Sequence, residues 1–89
     1  MTEEPIATTE VKREIKSYIL KEFLQGADPS DLTDASPLIT GGVLDSISTV
    51  RLVSFIEERF SVRLHAHEMS ADYLDNLDLI AATIQAKRP

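Results

Sequence analysis

The sequence contains no cysteine. That excludes a disulfide framework, a thiol nucleophile and a cysteine-based zinc site, so any thiol chemistry has to come from an attached group. Basic residues are in deficit: 9 Lys and Arg stand against 15 Asp and Glu, a net charge of −6. Binding to nucleic acid needs a basic surface, and this balance argues against it. An acidic surface suits solubility and docking to basic partners. No apolar run approaches the length of a bilayer span, so no membrane segment is expected. Residues 1–8 are polar and acidic and include Pro5, which is unlike a signal peptide. A cytoplasmic location is the expectation that remains.

What is present is enough for one small domain. The chain has 89 residues, of which 43% are apolar, sufficient for one thin core. Residues 1–7 read as a flexible arm and residues 8–89 as the domain. Helical spacing of Val11, Ile15, Tyr18, Ile19 and Phe23, extended by Leu24, predicts a first helix. Thr8 or Thr9 would be its hydroxyl cap and Gly26 its stop. Residues 25–44 form a long connection with Pro29, Pro37, Gly41 and Gly42, all poor inside helices. A connection this long is usually functional. Leu32, Leu38, Ile39, Val43 and Leu44 are expected to pin it to the core, and residues 28–31 to make a short helical turn.

A second helix is predicted from Asp45 or Ser46, with Asp45 as its cap. Its expected inward stripe is Ile47, Val50, Val53, Ile56 and Phe60, with Leu52 and Phe55 at the edges. A short third helix is expected over residues 68–74. Asn76 should cap a fourth, running to about Lys87 with Leu77, Ile80, Ala81 and Ile84 inward. Lys87 and Arg88 suit the negative end of its dipole. The fold class is therefore all-α: a small, irregular four-helix bundle, three helices longer and one short, with a long first loop.

The stretch with chemical potential is Gly41-Gly42-Val43-Leu44-Asp45-Ser46-Ile47. It sets one small hydroxyl at a helix N-terminus just after a glycine turn. Free amides and the positive helix end favour a negative group there, such as a phosphodiester on Ser46. On these residues alone, Asp45 and Ser46 also read as ordinary helix caps.

From Leu38 to Phe60 the chain resembles the core motif of acyl and peptidyl carrier proteins. The match runs through Leu-Ile-Thr-Gly-Gly-Val-Leu-Asp-Ser-Ile, then Leu52-Val53 and Ile56-Glu57-Glu58-Arg59-Phe60. The resemblance implies that Ser46 receives 4′-phosphopantetheine from coenzyme A through a phosphopantetheinyl transferase, assisted by Asp45. The thiol of that arm would hold an acyl or aminoacyl thioester, and the protein itself would not be an enzyme. It would act as a monomer with an acyl or aminoacyl ligase and downstream transferases or synthases. Val43, Leu44, Ile47, Ser48 and Arg51 are the candidate partner contacts, with Val50 and Leu52 as further candidates.

Two departures stand out. Many fatty-acid carriers have acids where Ser48 and Arg51 stand here, and Asp72-Tyr73-Leu74-Asp75-Asn76-Leu77 resembles D-alanine carriers and other specialised discrete carriers. Both point away from a housekeeping fatty-acid role. An unmodified interaction module with the same fold is the alternative. His65-Ala66-His67-Glu68 offers ligand types, but two histidines two apart do not share a helical face and no cysteine completes a set, so no metal site is expected. No G-x-S-x-G elbow or P-loop is present. Arg51 and Arg59 lack well-placed acids on their own helix.

Overall fold

The computed structural model describes residues 7–87. The arm predicted over residues 1–7 therefore lies almost wholly outside the described residues, as does Arg88. The first helix, α1, spans Thr8–Phe23. Ala7, not a threonine, occupies its N-cap, and no side chain caps it. The helix starts early because the Val11 amide, on a wholly buried residue, donates to the Ala7 carbonyl. Both threonines are thereby drawn into the first turn. Val11, Ile15 and Ile19 form the buried face, while Tyr18, Phe23 and Leu24 lie half-buried at its edge. Leu24, not Gly26, is the C-cap. Gly26 instead supplies the left-handed residue (φ 85°) of the turn that follows.

The long connection is anchored as expected. Asp28 caps a 3₁₀ turn at Pro29–Asp31 by accepting from the Ser30 amide. Leu32, Leu38 and Leu44 are buried, and Ile39 and Val43 pack half-buried against the core. Lys12 of α1 pins the middle of the connection by pairing with Asp34 at 3.0 Å, and pairs also with Asp78 at 2.8 Å.

Helix α2 spans Ser46–Phe60, capped by Asp45. Its buried face is Thr49, Leu52, Val53, Ile56 and Phe60. This corrects the predicted stripe: Ile47 is 73% exposed and Val50 59% exposed, while Leu52 is fully buried. The helix carries two apolar faces, and only one can face the core. With 3.6 residues per turn, Ile47 falls roughly opposite Ile56. The arc through Leu52, Val53, Ile56 and Phe60 is the longer and captures the interior.

The predicted third helix divides in two. A 3₁₀ turn covers Ala66–Glu68, and α3 proper is only Ala71–Leu74. Ser70 between them is extended (φ −135°, ψ 171°), which breaks the helix. The Glu68 carboxylate turns back to accept from the His65 amide, closing the upstream turn on itself. Asn76 caps the last helix, α4 (Leu77–Lys87), by accepting from the Leu79 amide, and Leu77, Ile80, Ala81 and Ile84 face inward as predicted. Lys87 pairs with Glu68 at 2.7 Å, which fastens the end of α4 to the 3₁₀ turn.

Four α-helices and two 3₁₀ turns thus make up the all-α bundle, with no strand among the described residues. Helix α1 packs on both α4 and α2, and α3 packs on α4. The two arginines of α2 find their acids across the helix interface. Arg59 binds Glu14 through two hydrogen bonds of 2.6 and 2.8 Å, and Arg51 binds Glu22 at 2.7 Å. Tyr18 of α1 stacks on Phe55 of α2 at 4.1 Å between ring centroids. No helix among the described residues is long and apolar enough to cross a membrane.

Leu38 is the deepest anchor of the connection, with 0% exposure. Leu38→Ala is expected to cost about 2–5 kcal/mol, a large share of a small domain's stability. Ile39→Ala, at a half-buried position, should cost less. Urea denaturation of the two variants checks both the loss and the ranking.

Candidate functional site

Ser46 stands at the first position of α2, exposed. The capping role falls to Asp45, whose Oδ1 accepts from the Ser48 amide at 2.8 Å, and the Asp45 carbonyl accepts from the Thr49 amide at 2.9 Å. Donors to the carboxylate, the Ser48 amide foremost, hold the Asp45 carboxyl below its ordinary range. The Ser46 hydroxyl takes no part in any hydrogen bond found among the described residues. Division of labour at this helix start is therefore clear. The carboxylate caps, and the neighbouring hydroxyl is left free at the positive end of a 15-residue helix.

The loop that delivers Ser46 is closed on itself. The Leu44 amide donates to the Leu38 carbonyl at 2.8 Å, and the Gly42 amide donates to the Ile39 carbonyl. Gly42 sits at φ 81°, a conformation that side chains resist. Gly41 lies so close to the Pro37 carbonyl that a Cβ there would collide with it. Both glycines are thus required by the backbone, for different reasons.

Asp75, the C-cap of α3, holds the outer end of this loop. Its Oδ1 accepts from the Ile39 and Thr40 amides, each at 2.8 Å, and its Oδ2 accepts from the Thr40 hydroxyl at 2.8 Å. The Asp75 carbonyl accepts from the Leu38 amide as well. These donors, the Thr40 amide foremost, hold the Asp75 carboxyl below its ordinary range. Sequence reading placed Asp75 in a family-like stretch without assigning it a role. Its carboxylate is 35 or 36 residues from its partners, and no spacing rule reaches that far.

Beside Ser46 opens a groove of ≈ 490 Å³, lined on one side by Ile39, Leu44, Asp45, Ser46, Thr49 and Val50 and on the other by Met69 and Ser70. Met69 and Ser70 were not foreseen as site residues, because their stretch was read as the start of a continuous helix. Ile47, Val50 and Met69 are the exposed large apolar side chains among the described residues; Val50 and Met69 line the groove with Ser46, and Ile47 follows Ser46 in the chain. The remaining candidate contacts divide. Leu44, 3% exposed, belongs to the core and to the groove floor, so it offers no outer surface to a partner. Val43 is half-buried, facing a separate apolar pocket with Leu20, Leu24 and Leu32. Ser48 is half-buried, and Leu52 is wholly interior. Arg51 is exposed but folds back over the Phe23 ring toward Glu22.

His65 and His67 stack on each other, and no cluster of three or more His, Cys, Asp or Glu suited to a metal occurs among the described residues. No protein-family model matches the chain. Individual relatives do. The chain is 38% identical over 63 residues to the D-alanyl carrier proteins of Streptococcus gordonii and Streptococcus thermophilus, and 36% identical over the same length to that of Streptococcus sanguinis. Each match covers 71% of this chain and 76% of the relative. The chain belongs to the family of free-standing carrier proteins. A carrier tethers cargo for other enzymes, and family membership implies ligases and transferases as partners.

The Asp75 bonds make a testable statement about pH. A carboxyl whose folded pKa is depressed contributes stability above its unfolded pKa and loses it as pH falls through the folded value. Stability should therefore decline from about pH 4 downward. Asp75→Asn should be less stable at neutral pH, and its acid decline should be shallower. Denaturation midpoints measured from pH 7 to 2.5 on both proteins check this; parallel curves would remove Asp75 from the account.

Proposed function

We propose that the protein is a discrete carrier that bears a thioester-linked cargo on a 4′-phosphopantetheine arm attached to Ser46, and presents it to partner enzymes in a specialised pathway. One observation carries the reading: Asp45 caps α2 and leaves the exposed Ser46 hydroxyl unengaged beside the groove. A serine needed only as a cap would hold an amide itself. The residues suit the arm. A phosphodiester on Ser46 would sit at the amide-rich positive end of α2, and the adjoining groove is open enough for the root of the arm. When bound, the group supplies the thiol that this cysteine-free chain lacks. Attachment requires a phosphopantetheinyl transferase, and loading requires a ligase. The relatives are named for D-alanyl carriage, and an aminoacyl cargo follows the same line. Tethering replaces diffusive encounter between cargo and enzyme by local encounter at raised effective concentration. No catalysis by the carrier itself is part of this reading.

Co-expression with a broad-specificity phosphopantetheinyl transferase should add one arm, mapped to Ser46. Ser46→Ala should abolish the mass gain and leave helical circular dichroism nearly unchanged, because Asp45 still caps. An arm mapped to Ser48 or Ser54, or no mass gain in the unaltered protein, would refute the assignment.

Partner contact follows from the same face. Beyond the capping Asp45 the first turn of α2 carries no acid, and Arg51 is drawn off by Glu22, so Ile47 and Val50 stand as exposed apolar side chains without a charged neighbour in that turn. Charge complementarity mainly sets on-rate and the exclusion of wrong partners. Enzymes that select acidic carriers should use this protein poorly. Ser48→Asp with Arg51→Glu should improve its use by generic fatty-acid enzymes and add salt dependence. Ile47→Ser with Val50→Ser should weaken use by its own ligase about tenfold, equal to about 1.4 kcal/mol. Transacylation kinetics across ionic strength tests both. Efficient use of the unaltered protein by fatty-acid enzymes, unmoved by the charge swap, would restore a housekeeping role.

A further inference from the structure

The groove beside Ser46 has two walls of separate origin. One is the serine loop with the first turns of α2; the other is Met69 and Ser70. The second wall is fastened at both ends. Upstream, Glu68 is tied to α4 by Lys87 and to the His65 amide. Downstream, the chain passes through α3 to Asp75. Among the described residues, every hydrogen bond joining residues 37–46 to residues 66–76 ends on Asp75: Leu38 to its carbonyl, and Ile39 and Thr40 to its carboxylate.

We infer that Asp75 is a positioning residue for the modification and use of Ser46, acting as the clasp that sets the groove and the presentation of the serine loop. The inference rests on Ser46 being the attachment residue. The physical chain is short. Three donors on adjacent residues converge on one carboxylate, and hydrogen bonds to an ionised acceptor are the stronger kind. Ile39 itself lines the groove, and its carbonyl receives Gly42. Leu38, bound to the Asp75 carbonyl, receives Leu44. Asp45 and Ser46 follow directly. Releasing Asp75 therefore frees the near end of the turn whose far end is the reactive serine. The core does not depend on the clasp in the same way, because Leu38 and Leu44 remain buried by packing. Loss of the clasp should accordingly lower the fraction of molecules that present Ser46 correctly, more than it unfolds the bundle.

A partner that binds only the competent form meets an apparent affinity reduced by its population, so the signature is in KM and not in kcat. The test is the kinetics of arm transfer from coenzyme A to the full chain by a broad-specificity phosphopantetheinyl transferase, followed by intact mass. With the competent loop reduced to about a tenth of the population, Asp75→Asn should raise KM roughly tenfold and leave kcat within about twofold. Thr40→Val, which removes one bond of the clasp, should shift KM in the same direction by less. Hydrogen exchange should quicken at the Ile39 and Thr40 amides while those of Ile56 and Ile84 stay protected. An unchanged KM in Asp75→Asn, with the two loop amides freed, would overturn the positioning role and leave Asp75 a merely structural residue. Should Asp75→Asn lose its helical signal, Thr40→Val decides alone: a raised KM supports the clasp, and an unchanged one overturns it. An unaltered protein that takes up no arm at Ser46 is a separate result, which removes the arm reading and this one with it.

Discussion

The Asp75 carboxylate is the constraint on which the geometry around Ser46 depends. The loop from Pro37 to Asp45 is rich in residues that prevent regular structure, and its backbone donors need partners outside any helix. The Asp75 carboxylate answers for Ile39 and Thr40, while the Asp75 backbone carbonyl answers for Leu38. With the outer end fixed, the inner end can close through Gly42 and Leu44, and α2 begins at a defined place. Gly41 and Gly42 then act as conditions of that closure: one lets the chain pass close to Pro37, and the other adopts a left-handed turn. A flexible tether for the serine would need neither.

The second organising feature is the distribution of charge. The net charge of −6 suggests an acidic protein, yet after the capping Asp45 the first turn of α2 carries no acid. Glu14 and Glu22 of α1 are engaged with Arg59 and Arg51, and Lys12 holds Asp34 and Asp78. These pairs are partly exposed and individually worth little to stability. Their consequence is for recognition. With Arg51 drawn onto α1, Ile47 and Val50 are the exposed large apolar side chains of α2, next to the capping Asp45. Under the proposed function, partners would read such a face by shape and apolar contact as well as by charge.

Most of the bundle was legible from periodicity and capping residues. Asn76 before Leu77, Asp45 before Ser46 and the inward stripe of α4 announced their elements directly. Failures had local causes. Apolar residues at Ile47 and Val50 matched helical spacing to the core stripe, and only packing reveals which of two faces turns inward. The broken third helix hinged on Ser70 adopting an extended backbone, for which serine carries no strong signal. Thr8 and Thr9 look like caps, but the cap lies one or two residues earlier at Ala7, whose carbonyl accepts from the amide of buried Val11. At the candidate site, Ser46 and its cap could be singled out because their motif is contiguous. Asp75, Met69 and Ser70 were not, because they reach it only through the fold.

The central claim is that Ser46 is the point at which cargo is carried. It is tested most directly on protein isolated from its own cells under acidic conditions that preserve thioesters. Mass mapping of the peptide containing Ser46 should find a phosphopantetheine arm on that residue, with part of the population bearing a further group released by hydroxylamine. Identification of that group names the cargo. A native protein whose Ser46 is unmodified throughout would contradict the account and leave the fold as an interaction module without an arm.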